Sequence, residues 1–312
     1  MATPTPGSVD GRRVAIVAGL RTPFMKSGTN YRSLSTLDLG KAVVTELVQR
    51  NGLEGDHIDQ IVYGAVVADV TAPNIAREIV LGTALPRSID AFSVSRACAT
   101  STQAIVDGTK AILMGEADIV VAGGADTLSK PPIQYDDAVV TVLMAANAAK
   151  DVGSKLRAFS RLRPKDLTPK APELADKSTG LTMGDAAEKM ARENGISREA
   201  QDEYAYASHQ KAIEAWEKGV FDDEVMALPI PPKYAETVTQ DNIPRADSTM
   251  EKLASLRPVF DRRYGTVTAG NSSPLTDGAS AVVLMEDKAA EKLGFMAKAY
   301  VRSWAFAALD PG

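Results

Sequence analysis

The chain has 312 residues, 45% of them apolar and 24% charged, with a formal net charge of −5, a balance that suits a globular protein of about two domains. No broad basic surface argues for nucleic acid, one cysteine excludes an internal disulfide framework, and no Cys/His cluster has zinc-ligand spacing, so no metal is expected. Met1 to Arg13 is polar and lacks the apolar stretch of roughly 7–15 residues that marks a signal peptide, and no segment is long enough to span a bilayer; a reduced, cytoplasmic setting is the expectation.

Val14 to Leu20 is an apolar, β-branched run ending at Arg21-Thr22-Pro23-Phe24, which reads as a buried strand entering a turn. Thr36 to Asn51 fits an amphipathic helix, because Leu37, Leu39, Val43, Val44 and Leu47 fall near helical spacing and Asn51-Gly52 closes it. Ile58 to Ala68 reads as the next strand and Asn74 to Gly82 as a short helix. Ile89 to Ser95 is a short apolar strand, Ala99 to Met114 a helix ending at Gly115, and Asp118 to Ala122 a strand stopping at Gly123-Gly124. This alternation predicts a mostly parallel sheet covered by helices, an α/β fold.

Composition shifts at Lys130-Pro131-Pro132, and Pro-rich turns and charge continue to about Arg257-Pro258. Gly184 to Asn194 and Ser197 to Gly219 read as two surface helices within that stretch. Strand character returns from Phe260 to Met285, so the middle reads as an insertion between strands of one domain. Ala297 to Ala308 reads as a last strand, and Asp310-Pro311-Gly312 as a turn leading to a further element.

The sole cysteine, Cys98, falls at the strand-to-helix turn within Ser95-Arg96-Ala97-Cys98-Ala99-Thr100-Ser101-Thr102-Gln103-Ala104-Ile105. A helix N-terminus presents unpaired N–H groups and a positive dipole end, which favour thiolate over thiol. A thiolate is a strong nucleophile and suits covalent acyl transfer. From placement alone a buried cysteine acting as a small apolar residue stays open as the other reading.

The wording around Cys98, followed by Val121-Ala122-Gly123-Gly124-Ala125-Asp126, resembles the nucleophile segment of the thiolases. Gly265-Thr266-Val267-Thr268-Ala269-Gly270-Asn271-Ser272-Ser273-Pro274-Leu275-Thr276-Asp277-Gly278-Ala279-Ser280-Ala281 resembles their second signature. Between them, Phe159 to Leu167 and Ser178 to Glu188 are similar to the β-oxidation 3-ketoacyl-CoA thiolases that form the β subunit of trifunctional complexes. The resemblance runs from about Val14 to Pro311. It implies a layered thiolase fold with residues 1–130 and 258–290 as N-terminal domain, 131–257 as inserted loop domain, and 291–312 as the start of a C-terminal domain that is mostly absent.

The resemblance also implies the chemistry. Cys98 matches the nucleophile that attacks the ketone carbonyl of 3-ketoacyl-CoA; acetyl-CoA leaves, and coenzyme A takes the acyl group from the enzyme. Coenzyme A enters as a substrate, with no bound cofactor. Ser273 matches a serine on the pantetheine arm, with Ala269 beside that arm, and Met183 matches a methionine near the substrate thioester; a turn residue and core filler are the plainer readings of Ser273 and Met183. Pro274 stands where many thiolases carry Gly. Arg245, Lys233, Arg257 and Lys252 are the cations within reach of coenzyme A phosphates, none singled out.

The family's Gly-His-Pro, Asn-Glu-Ala-Phe-Ala and Cys-x-Gly-Gly-Gly segments do not occur in these residues. His57 reads as a solvated loop residue and His209 as a helix-surface or interface residue, neither a base for the thiol. The expectation is therefore an acyl-CoA C-acyltransferase whose 312 residues form an inactive portion. The rivals are a non-catalytic chain that binds coenzyme A or a partner subunit, and a ketoacyl synthase. The synthase shares the fold and the cysteine turn but lacks the long insertion and Gly270-Asn271-Ser272-Ser273. A homo-oligomer, with a hydratase/dehydrogenase subunit as further partner, is what the resemblance implies for assembly.

Overall fold

The computed structural model describes residues 7–160, 162–168 and 175–309; residues 1–6 of the polar leader, Arg161 of the Phe159 to Leu167 segment and the Asp310-Pro311-Gly312 turn lie outside them. A seven-stranded sheet organises the first 126 residues and the stretch after 275. Its strands are β1 (Val14–Arg21), β2 (Met25–Lys26), β3 (Gln60–Gly64), β4 (Asp90–Val94), β5 (Ile119–Asp126), β8 (Thr276–Glu286) and β9 (Ala299–Tyr300). They lie in the order β4-β3-β5-β8-β1-β9, with β2 paired to β8.

The β4, β3 and β5 ladder is parallel, as the alternation of strands and helices predicts. The sheet as a whole is mixed, which corrects the expectation of a mostly parallel one: β8 runs antiparallel to both β5 and β1, and β9 antiparallel to β1. The cause is the insertion. It leaves the sheet at the carboxyl end of β5 and returns at the same end, so β8 must run back; a parallel strand would need a crossover to the opposite end.

Helices α1 (Thr36–Arg50) and α2 (Ile75–Leu81) cover one face, and α3 (Thr100–Met114) the other. The strand period of two separates the faces: along β5, Ile119 and Val121 join the α1/α2 core, whereas Val120 and Ala122 join the α3 core. Leu39, Val43 and Leu47 of α1 are fully buried, each contributing about 1.5–3 kcal/mol of burial. A capping box between Ser35 and Asp38 starts α1.

The stretch 130–257 lies outside the large sheet. It contains α4 (Asp137–Ala148), α5 (Val152–Phe159), α6 (Met183–Glu193), α7 (Arg198–Glu217) and α8 (Met250–Ala254), and a small hairpin of β6 (Leu228–Pro229) with β7 (Thr237–Val238). Helices α4 and α5 are additions to the sequence reading. The long strand read from Ile58 to Ala68 shortens to β3, and Ala297 to Ala308 contributes only Ala299–Tyr300, because pairing to β1 stops after two registers. The strand character from Phe260 condenses into β8, with a loop from Pro258 to Leu275. No helix among the described residues is long and apolar enough to cross a membrane.

One anchor ties the insertion to the sheet. Arg21, at the end of β1, pairs with Asp241 at 2.8 Å and Glu224 at 2.9 Å, while its backbone exchanges hydrogen bonds with Glu224 and Met226. Asp241 also accepts the Phe24 N–H at 2.6 Å, and the Asn242 side chain accepts that of Lys26. Residues 241–245 are thereby held against the β1–β2 turn, at the end of the sheet where β3 and β5 also finish.

Candidate active site

Between β4 and α3 the chain makes a tight turn. Ala97 sits at φ +42°, a left-handed conformation that L-residues rarely adopt. The Ala99 N–H donates to the Arg96 carbonyl at 2.9 Å and the Thr100 N–H to that of Ala97 at 3.1 Å. Cys98 projects from this turn and is exposed. The N-cap position of α3 is Ala99, which supplies no side-chain cap, so the helix presents first-turn amides beside Cys98.

Small residues let the turn sit on the strand ends. A Cβ on Gly64 would collide with the Thr100 methyl and the Val94 carbonyl, and one on Gly124 with the Ser101 hydroxyl. Cys98 lines a cleft of about 420 Å³ together with Val66, Ser101, Asp126, Ile243, Ser273 and Thr276. Asp126 accepts the Val66 and Val67 N–H groups at 2.8–3.0 Å. Burial outweighs those donors and raises its carboxyl above the ordinary range.

A larger cleft, of about 890 Å³, adjoins the first at Ile243. Segment 269–276 divides the two: Ala269, Gly270, Ser272 and Pro274 line the larger cleft, Ser273 and Thr276 the smaller. Lys26, Arg245 and Lys252 give the larger cleft its cations. Asp247 lies 3.1 Å from Lys252 and 3.7 Å from Arg245; the Lys252 hydrogen bond is the main cause holding its carboxyl below the ordinary range.

Two buried carboxylates and the half-buried Asn271 fix the dividing loop. Glu188 of α6 accepts the Thr266 N–H at 2.7 Å and also that of Val267. Asp202 of α7 accepts Asn271 Nδ2 at 2.9 Å and Arg198 Nε at 2.7 Å. Asn271 Oδ1 in turn accepts the Thr268 N–H at 2.7 Å. Arg198 also donates to the Leu253 and Leu256 carbonyls, joining the loop to the wall of the larger cleft.

The model of the thiolase N-terminal domain matches residues 14–288. The chain belongs to the thiolase family. A 3-ketoacyl-CoA thiolase of Yersinia pestis is 53% identical over 300 residues, covering 96% of this chain and 69% of the relative. The crystal structure of the Bacillus anthracis acetyl-CoA acetyltransferase superposes with a TM-score of 0.79 at 30% identity, over 93% of this chain and 69% of that one. Human mitochondrial 3-ketoacyl-CoA thiolase in complex with CoA gives 0.77 at 28% identity, over 94% and 69%.

In this thiolase chain, Cys98 and Ser273 share one cleft and Ala269 lines its neighbour, whereas Met183, the first residue of α6, is 62% exposed and is not among the lining residues of either. Of the four cations named from sequence, Arg245 and Lys252 line the larger cleft; Lys233 and Arg257 are not among its lining residues. Lys26 and Ile243 were not foreseen. They come from distant parts of the chain that the Asp241 and Asn242 contacts bring together. His57 lies in a short 3-10 turn, 3.9 Å from Glu54. Among the described residues no group of three or more His, Cys, Asp or Glu could hold a metal ion.

His209 packs against the segment that carries Arg245. Its Nδ1 accepts the Arg245 N–H at 3.3 Å, and it lines the larger cleft. Burial first, then the Arg245 charge, hold the imidazole below its ordinary value, against the opposing pull of Asp247. The unfolded chain therefore binds more protons than the folded one between that lowered value and the usual imidazole value of about 6.5. This contribution to stability is present above about pH 6.5 and is lost on acidification through the lowered folded value. His209→Gln, which keeps an acceptor but does not titrate, should lose less melting temperature than the parent between about pH 7.5 and about pH 5.5. Identical pH slopes in thermal melts would disprove this.

Proposed function

We propose that this chain carries the nucleophile and the coenzyme platform of a degradative 3-ketoacyl-CoA thiolase. The observation that supports it most is the pairing of the two clefts: Cys98 and Ser273 line the smaller, and the loop carrying Ser273 divides it from a larger, cation-bearing one. The smaller cleft takes the acyl thioester and the larger one the nucleotide end of coenzyme A. In the proposed step Cys98 Sγ bonds to the ketone carbon of 3-ketoacyl-CoA and the bond from that carbon to the acetyl-CoA carbon breaks. The electron pair leaves on the acetyl-CoA carbon, which takes up a proton. The sulfur of a second coenzyme A then bonds to the acyl carbon and the Cys98 thioester breaks. A soft sulfur suits both halves, as attacking group and as leaving group.

Fatty-acid β-oxidation is the setting this reading implies, in a cytoplasmic homo-oligomer with a hydratase/dehydrogenase subunit as partner. Residues 131–257 act as the loop domain over the site, and 1–130 with 258–290 as the N-terminal domain. Met183 is kept as a substrate contact that needs α6 to approach the acyl chain. Neither histidine lines the cleft of Cys98, so we assign the base to neither. That observation favours the second reading, a coenzyme A-binding chain without turnover.

Titration of the 312-residue polypeptide with coenzyme A, beside a thiolysis assay, tests both parts. Saturable binding is expected without turnover, and Ser273→Ala should weaken binding by about 0.5–1.5 kcal/mol, the net worth of one hydrogen bond. Absence of binding would remove the coenzyme platform. Unchanged affinity in the variant would leave Ser273 a turn residue, and turnover would mean that a residue in this chain acts as base.

A further inference from the structure

We infer that Thr100 is a positioning residue for Cys98, a role that rests on reading Cys98 as the nucleophile. Thr100 is 3% exposed, and its side chain touches the turn on both sides of the strained Cα of Ala97. Its hydroxyl donates to the Ala97 carbonyl at 2.7 Å and accepts the Arg96 N–H at 2.8 Å. A positive φ at a non-glycine residue persists only where the surroundings over-determine it, and here one hydroxyl ties the Arg96 N–H, one residue before, to the carbonyl of Ala97 itself. The methyl lies against Gly64, where a Cβ would collide with it. The rotamer is thus fixed by a donor contact, an acceptor contact and a packing contact.

The arrangement departs from the usual use of a hydroxyl at a helix start. Serine and threonine ordinarily cap first-turn amides from the N-cap position. In this chain the N-cap is an alanine, and the hydroxyl two residues after Cys98 points back into the turn. Two consequences follow together: the first-turn amides of α3 are left without a side-chain cap, and Cys98 is held beside them at the mouth of the cleft shared with Ser101 and Ser273. Without the hydroxyl, Ala97 can relax toward negative φ, and Cys98 swings away from those amides, which stabilise developing negative charge.

Because Cys98 is the sole cysteine, its alkylation by iodoacetamide, followed by mass spectrometry, reports on this turn alone and needs neither acyl-CoA nor turnover. Thr100→Val keeps the shape and removes the hydroxyl; it should slow alkylation about fivefold or more, whereas Thr100→Ser should stay within about twofold of the parent. Thermal melts of each variant confirm folding. Should the valine variant not fold, Thr100→Ala compared with Thr100→Ser isolates the same hydroxyl, and the alanine variant is then the slow one. Parent-like or faster alkylation in a folded variant lacking the hydroxyl would overturn the inference, as would a serine variant as slow as the alanine one. A failure of the nucleophile reading looks different: alkylation would follow this order while acyl transfer proved indifferent to Cys98.

Discussion

Cys98→Ser should abolish acyl transfer, by about 10³-fold or more, in any preparation of this protein that turns over a 3-ketoacyl-CoA, while coenzyme A affinity stays within about threefold. Serine fits the turn, since Cys98 is exposed and the backbone bonds that shape it come from Arg96, Ala97, Ala99 and Thr100. Geometry is therefore held constant and only the atom changes. A hydroxyl is far less ionised at neutral pH than a thiol, and an ester oxygen is a poorer leaving group than a thioester sulfur. Both half-reactions suffer. Cys98 is not among the lining of the larger cleft proposed for the nucleotide end of coenzyme A, so affinity and turnover separate. Near-parental turnover in the serine variant would remove Cys98 from the chemistry.

What could be read of this site beforehand was contiguous in the chain. The turn around Cys98 is written within a dozen residues, from Ser93 to Ala104, and its strand and helix appear within a residue or two of their expected limits. The second signature was legible as a motif, but not as a divider between two clefts. That property depends on Glu188 and Asp202, on helices some 70–80 residues earlier. Buried carboxylates on surface-looking helices carry no periodic signal, and α7 in particular is polar all round, with Asp202 its one buried residue.

The glycines misled in a specific way. Gly123-Gly124 reads as a close-approach strand end; the close approach holds, yet β5 continues through both to Asp126. At Gly123 a side chain would collide with the Ser280 carbonyl and the Tyr63 ring, and at Gly124 with Ser101. Glycine here serves close approach within a paired strand, which local sequence cannot distinguish from a break. Helix α4 was overlooked for the opposite reason. Its sequence, Asp137-Ala138-Val139-Val140-Thr141-Val142-Leu143-Met144, is apolar and β-branched in a stretch read as turns, and helical periodicity is hidden when Val140, Leu143 and Met144 remain exposed beside buried Val139 and Val142.

The dividing loop gives the second large effect. Asp202→Ala should destabilise the chain by about 3 kcal/mol, the lower end of the cost of breaking a buried ion pair by removing one partner. The Asp202 side chain is 2% exposed and that of Arg198 19%, so the orphaned guanidinium loses its counter-charge while little water is available to replace it. Its bonds to the Leu253 and Leu256 carbonyls remain, which keeps the expected value from rising higher. Asn271 loses an acceptor as well, and with it the link between α7 and the turn that carries Ser273. Coenzyme A affinity should therefore fall along with stability. Asp202→Asn separates the two effects: an amide oxygen can still accept from Asn271 Nδ2, so the loop and the affinity should be largely restored while part of the stability loss persists. Urea unfolding midpoints and coenzyme A titrations on the same variants provide the check. An alanine variant with parental midpoint and affinity would show that the loop is held without this pair.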